Sequence, residues 1–157
     1  MLDKYKDEQP ILYNLLENSI KKDKISHAYL FETNNNPNSL DIVYSFVKEL
    51  ICPNDKKCDN CSICKRIDDG NYLDVKVINP DGLQIKKEQL LDLQDEFSKV
   101  SIENNKKVYI INECEKMNLQ ASNSILKFLE EPIDNIIAIL VTNNINMVLK
   151  TIISRCQ

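Results

Sequence analysis

Short apolar runs alternate with amphipathic segments along most of the chain. Four runs have the length and composition of buried β-strands, and they cover residues 28–31, 74–78, 107–111 and 136–141. Apolar residues at helical spacing predict a helix before the first run and one in each interval that follows. In chain order, these helices carry Leu12, Leu15, Leu16 and Ile20; Leu40, Val43, Val47 and Leu50; Leu90, Leu93, Phe97 and Val100; and Ala121, Ile125, Leu126 and Leu129. The alternation favours an α/β fold, a three-layer parallel sheet with helices on both faces.

Local signals set the limits of these elements. Pro53 prevents the second helix from continuing far beyond Ile51. Asn118 can cap the last of the four helices, and Pro132 closes it. Ligands of parallel sheets bind beyond the carboxyl ends of the strands, and the predicted ends are Phe31, Ile78, Ile111 and Val141.

Length and charge narrow the function classes. The chain of 157 residues suffices for one domain and is short for two. Its net charge of −4, with acidic and basic residues well mixed, disfavours a dedicated nucleic-acid binder. No apolar run approaches the roughly 18 residues of a membrane span, and the N-terminus lacks an apolar leader segment. We therefore expect a cytoplasmic protein with no membrane partner, whose six cysteines are reduced.

Four of the cysteines form a compact cluster. Cys52, Cys58, Cys61 and Cys64 follow the spacing C-x5-C-x2-C-x2-C. The two-residue gaps let neighbouring sulfurs reach one ion, so the pattern predicts a structural Zn²⁺ site with no open coordination position, in a small module at about 52–66. An iron–sulfur cluster and a loop of simple reduced thiols are the alternatives. The other two cysteines, at 114 and 156, lie outside this spacing and are expected to be core or interface thiols.

Several motifs occur together in a characteristic order. They are "SHAYLF", a polar loop, the four-cysteine module, "KVYIINECEKM", "ASNSILKFLEEP", "ILVTNN" and "TIISRC". Together they resemble the delta-prime subunits of the bacterial DNA polymerase III clamp loader, an AAA+ family with a P-loop NTPase-like core. The resemblance extends from about Ile11 to the end. It implies that residues 1–157 are the N-terminal AAA+ domain, without the lid and collar domains of the family.

The resemblance also indicates a degenerate nucleotide site. In the family's P-loop pattern, Thr33 and Asn38 stand at the two glycines, Ser39 at the lysine and Leu40 at the Mg²⁺-binding Ser/Thr. Without that lysine nothing cationic reaches the β- and γ-phosphates, and without glycines the backbone cradle is strained. The chain is therefore expected to bind no ATP.

The acidic motif that follows the third strand agrees with this expectation. An active relative has Asp-Glu after the third strand, whereas this chain has Asn112-Glu113, and asparagine is a poor partner for Mg²⁺. Thr142 and Asn143 stand where active relatives sense the γ-phosphate, and here they are expected to be structural. His27 is expected to cap or pack near the first strand.

Arg155 in "SRC" is the candidate catalytic residue. The resemblance implies that this arginine is offered in trans to ATP on a neighbouring motor subunit, a task that suits a permanently charged, forked guanidinium. The alternative from the residues alone is an arginine paired with a local carboxylate. The adjacent Glu130 and Glu131 are interpreted as helix-end and interface residues rather than an acid/base pair, because neighbours on a helix point to different faces.

The sequence thus predicts a non-catalytic clamp-loader subunit of the DNA polymerase III holoenzyme, which as a whole is a DNA-directed DNA polymerase and nucleotidyltransferase. Its expected partners are the gamma/tau motor subunits, delta, and, through the assembly, the sliding clamp and primed DNA. The alternatives are an active AAA+ NTPase with an irregular P-loop and a zinc-containing DNA-binding module. Measurable Mg·ATP binding would favour the first, and strong salt-dependent DNA binding the second.

Overall fold

The computed structural model describes residues 1–36, 39–53, 58–99 and 106–157. The chain divides into two compact units. One unit combines Met1–Ser26 with Pro37–Tyr72, and the other combines His27–Asn36 with Leu73–Gln157.

The second unit contains a four-stranded, fully parallel sheet. Its strands are β1 (Ala28–Glu32), β2 (Val75–Ile78), β3 (Lys107–Ile111) and β4 (Ile136–Thr142), in the order β1-β4-β3-β2. Every residue of β3 and β4 is buried, which is why these central strands are nearly continuous apolar runs. The predicted α/β class with a parallel sheet is confirmed.

Helices α4 (Lys87–Ser98) and α5 (Leu119–Glu130) pack on one face of this sheet, followed by the short α6 (Lys150–Ile153). Together they form a hydrophobic core. Its members include Leu90, Leu93, Phe97, Ala121, Ile125 and Leu129 from the helices and Tyr109, Ala138 and Leu140 from the strands. Phe97 and Tyr109 meet edge to face at 5.6 Å between ring centroids, a favourable aromatic geometry. The predicted helix position Val100 lies outside the described residues.

The opposite face of the sheet is also buried. The alternate strand residues Tyr29, Val108, Ile110, Ile137, Ile139 and Val141 all have 5% or less of their surface exposed. Successive residues of a strand point to opposite faces, so both faces of this sheet are shielded from solvent.

The first unit contains α1 (Pro10–Lys21), α2 (Ser39–Ile51) and α3 (Ser62–Asp68). Helix α2 buries the predicted Val43, Val47 and Leu50. On α1 the predicted apolar face is partly wrong, because Leu15 is 40% exposed whereas Tyr13 is buried. The Tyr13 hydroxyl donates a hydrogen bond to Asp3 Oδ1 at 3.0 Å, which satisfies its polar end.

Candidate functional site

The four predicted metal ligands lie together in the first unit. The sulfurs of Cys52, Cys58, Cys61 and Cys64 all lie within 4.8 Å of one another, and those of Cys52 and Cys61 are 3.6 Å apart. Tetrahedral ligands at a metal–sulfur distance of about 2.3 Å would be about 3.8 Å apart. All four thiols are free of disulfides. This donor set fits one thiophilic ion, as the spacing predicted.

The local backbone prepares one of these thiols for binding. Cys61 is the residue that caps the N-terminus of α3, and its sulfur accepts a hydrogen bond from the Cys64 N–H at 3.5 Å. This bond is the main reason that the pKa of Cys61 is lowered to about 6. Burial instead raises the pKa of Cys64, whose thiol donates to the Cys58 carbonyl at 3.2 Å. Cys61 is thus converted more readily than Cys64 to the thiolate that metals bind.

The second candidate region is the carboxyl edge of the sheet in the second unit. Thr33, which the resemblance assigns to the first P-loop glycine, is 8% exposed and follows β1 directly. Its hydroxyl donates to Asn143 Oδ1 at 2.6 Å and lies 3.2 Å from the Thr142 carbonyl, which also accepts the Thr33 N–H at 2.9 Å. Thr33 therefore connects the ends of β1 and β4.

The remaining P-loop positions are distributed over both units. After Thr33, Asn34 and Asn35 have φ values of 47° and 60°, the left-handed region that asparagine tolerates better than most residues. Ser39 and Leu40 are the first two residues of α2, in the first unit, and both are half-buried. Asn38 lies outside the described residues.

Asn112 and Glu113, which the resemblance assigns to the acidic pair of active relatives, both have partners inside the protein. Asn112 donates from Nδ2 to Asn79 Oδ1 at 3.0 Å, at the end of the neighbouring strand β2. Glu113 has a left-handed φ of 50°, and its carboxylate pairs with Lys116. Both side chains therefore have polar partners of their own where β2 and β3 end.

Glu115, which the sequence did not single out, contacts the polar residues at the end of β4. Its carboxylate accepts hydrogen bonds from the Thr142 hydroxyl at 2.8 Å and from the Asn143 N–H at 3.2 Å. Thr142 is fully buried, so a partner for its hydroxyl is required. The only signal in the sequence was a carboxylate shortly after an apolar strand, which is too common to single out one residue.

Arg155 lies just beyond α6. One of its guanidinium nitrogens donates to the Thr151 carbonyl at 2.7 Å, and another pairs with Glu130 Oε1 at 2.5 Å. The Arg155 side chain is 32% exposed and that of Glu130 is 50% exposed. The local carboxylate that the sequence left as an alternative is therefore present, and it lies at the end of α5. His27 directly precedes β1, and its Nε2 has no hydrogen-bond partner within the described part of the chain.

Across the described ranges 1–36, 39–53, 58–99 and 106–157, no helix is both long and apolar enough to cross a lipid bilayer.

Comparisons with known proteins agree on one family. The family model described as "DNA polymerase III, delta subunit" matches residues 8–157. The chain is 47% identical over 151 residues to DNA polymerase III subunit delta' of Bacillus subtilis, covering 95% of this chain and 46% of that protein. It is 34% identical over 145 residues to subunit tau of the same organism, covering 90% of this chain and 26% of tau. The chain thus spans less than half of either relative.

A solved structure gives the same fold. A DNA polymerase III gamma subunit-related protein from Thermotoga maritima matches with a TM-score of 0.71 at 23% identity, covering 90% of this chain and 44% of that one. On the strength of the family model and the delta' relative, the chain belongs to the DNA polymerase III delta-subunit family, as its motifs indicated.

Proposed function

We propose that this chain is the N-terminal AAA+ domain of a non-catalytic clamp-loader subunit of the delta-prime kind. In the cytoplasm it would act in a ring with gamma/tau motor subunits and delta, and help to load the sliding clamp onto primed DNA. Relatives named delta', tau and gamma support membership of such an assembly. The lid and collar domains would belong to the part of those relatives that this chain does not cover.

The observation that carries the non-catalytic role is the bond between Thr33 and Asn143. The residue at a P-loop glycine position donates to the residue at the γ-phosphate sensor position, at 2.6 Å. In an active site these groups would face the nucleotide, whereas here they satisfy each other. The missing P-loop lysine and the Asn112 substitution act in the same direction.

We further propose that Arg155 acts in trans on ATP held by a neighbouring motor subunit. Its side chain is about one-third exposed and rests against a half-exposed carboxylate. Such surface pairs contribute little to stability, so a neighbour's phosphates can compete for the guanidinium. A forked, permanent cation suits the charge that develops on a transferring phosphoryl group.

The four-cysteine centre is proposed to hold Zn²⁺ in a structural role. All four tetrahedral positions would be filled by Cys52, Cys58, Cys61 and Cys64, which leaves none for a substrate or water. Zinc bound there would supply folding energy to the small module rather than chemistry.

The test is a clamp loader reconstituted from motor subunits, delta and the natural full-length subunit. We expect Arg155→Ala to cause a large drop in clamp- and DNA-stimulated ATPase while assembly is preserved, and Arg155→Lys to lose most of the rate because lysine lacks the fork. Lys150→Ala, which removes an exposed charge from α6, the helix that precedes Arg155, is the matched control and should leave the rate unchanged. An unchanged rate in Arg155→Ala would refute the trans role and reopen the NTPase alternative, which Mg·ATP binding by this subunit alone would support.

A further inference from the structure

Lys48 is a buried lysine beside the four-cysteine centre. It lies in the last turn of α2, and only 7% of its surface is exposed. Its ammonium forms ion pairs with Asp59 Oδ1 at 2.9 Å and with Asp68 Oδ2 at 2.6 Å. A buried lysine is rare unless it is paired, and this one has two carboxylate partners.

The two partners belong to the same short segments that hold the metal ligands. Lys48 precedes Cys52 by one helical turn, and its carbonyl accepts the Cys52 N–H at 2.8 Å. Asp59 lies between Cys58 and Cys61. Asp68 follows Cys64 by one turn on the same helix α3. One ammonium therefore connects the three chain segments that carry all four cysteines.

The two ion pairs of Lys48, with Asp59 and Asp68, form a bridge that also affects the charge around the metal centre. A Zn²⁺ ion with four thiolates has a net charge of about −2. Asp59, which directly follows Cys58, and Asp68, one turn after Cys64, add negative charge to the segments that carry the ligands, and Lys48 pairs with both. The α-amino group of Met1 pairs with the other oxygen of Asp59 at 3.2 Å, but it does not contact α3 through any ion pair of the described residues. Without Lys48, both carboxylates would face an anionic centre with less compensation.

We infer that Lys48 is a positioning residue for the four-cysteine metal centre, in which its ion pairs with Asp59 and Asp68 hold the cysteine-bearing segments at the separation one ion requires. This inference rests on the proposed metal centre. It adds a residue outside the ligand set whose removal weakens metal binding. Partners of this kind typically contribute 10–100-fold in affinity.

The experiment is a Co²⁺ titration of the metal-free, full-length protein, followed by competition with Zn²⁺. The affinity tag belongs at the C-terminal end, because the Met1 amine pairs with Asp59. Absorbance of the cobalt–thiolate bands measures both affinity and geometry. We expect Lys48→Met, which keeps the apolar stem, to bind 10–100-fold more weakly than the wild type. Lys65→Met is the control, since Lys65 is an exposed lysine next to Cys64 on α3 and its loss should leave affinity unchanged.

Two further variants keep the test decisive if Lys48→Met folds poorly. Asp59→Asn and Asp68→Asn each break one half of the bridge at a side chain that is more than 40% exposed, and each should weaken Co²⁺ binding several-fold. A purely structural lysine would lower the stability of metal-free and metal-bound protein equally, whereas a positioning residue reduces the stabilisation gained from the metal.

The outcomes separate the two proposals. A wild type that binds no Co²⁺ would overturn the metal centre and the role of Lys48 together. Normal binding by the wild type and by all three bridge variants would overturn the role of Lys48 and leave the centre intact. If Lys65→Met lost as much Co²⁺ affinity as Lys48→Met, the effect would come from the removal of any nearby positive charge. That result would also overturn the inference.

Discussion

Lys107 gives the sharpest stability prediction in the second unit. It begins β3, is 7% exposed, and directs its ammonium at the last turn of α4. There it lies 3.4 Å from the carbonyls of Glu96 and Phe97 and also donates to the carbonyl of Lys99. The final carbonyls of a helix lack partners within it, so one lysine satisfies a helix end from the adjoining strand. The ammonium also lies 5.4 Å from the centre of the Phe97 ring.

Lys107→Met should lower the free energy of unfolding by about 2 kcal/mol. Hydrogen bonds from a charged donor contribute about 1.5–3 kcal/mol, and the variant loses them. It also loses the attraction between the ammonium and the Phe97 ring, but it no longer has to bury a charge, and we take these two effects to cancel. In a domain of this size the loss corresponds to a decrease in Tm of about 4–8 °C.

Urea unfolding followed by far-UV circular dichroism measures this change. Lys76→Met is the matched control, because Lys76 lies on the neighbouring strand β2 but its side chain is 38% exposed. Its ammonium forms a surface ion pair with Glu96 at 3.4 Å. The control should cost less than about 0.5 kcal/mol. Equal costs for the two lysines would refute the assignment of Lys107 as the cap of α4.

Two further outcomes can be measured on the same protein. Asn118→Ala should destabilise it by about 1 kcal/mol in urea, because the Asn118 side chain accepts the Ala121 N–H at the start of α5 at 2.8 Å, and Asn118→Asp should retain most of the stability. In metal-free protein at pH 7.5, iodoacetamide should modify Cys61 before Cys114 and Cys156, since the pKa of Cys61 of about 6 leaves it a thiolate. Cys114 and Cys156 should lag, because burial raises their pKa values to about 12 and about 11. Peptide mass spectrometry gives the order, equal rates would contradict it, and added Zn²⁺ should protect Cys61.

The sheet could be predicted from the sequence almost residue by residue. The runs 107–111 and 136–141 correspond to β3 and to β4 without its last residue. Buried parallel strands need apolar side chains on both faces, so their sequence is a continuous run that few other elements resemble. The cysteine cluster was equally predictable, because four ligands within thirteen residues meet through local chain geometry alone.

Contacts between distant residues could not be predicted in this way. Lys48 and Lys107 look like ordinary surface lysines in the sequence, yet each is 7% exposed. Their partners are fixed by how helices, strands and loops meet, and no short pattern encodes that meeting. The same limit explains the α1 error, where the choice between Leu15 and Tyr13 depends on the neighbours that cover the helix.

The carboxyl edge of the sheet illustrates how a local substitution and a distant contact depend on each other. The sequence resemblance predicts that Thr33 replaces a P-loop glycine, and in the structure the Thr33 hydroxyl donates to Asn143. Glu115 then accepts from Thr142 and from the backbone of Asn143, so the polar groups where β1 and β4 end are joined in one network. Buried polar groups require partners, and at this edge the protein itself supplies them. A glycine at position 33 would gain backbone freedom but would remove the hydroxyl donor to Asn143, so the residue at this position is coupled to the end of β4.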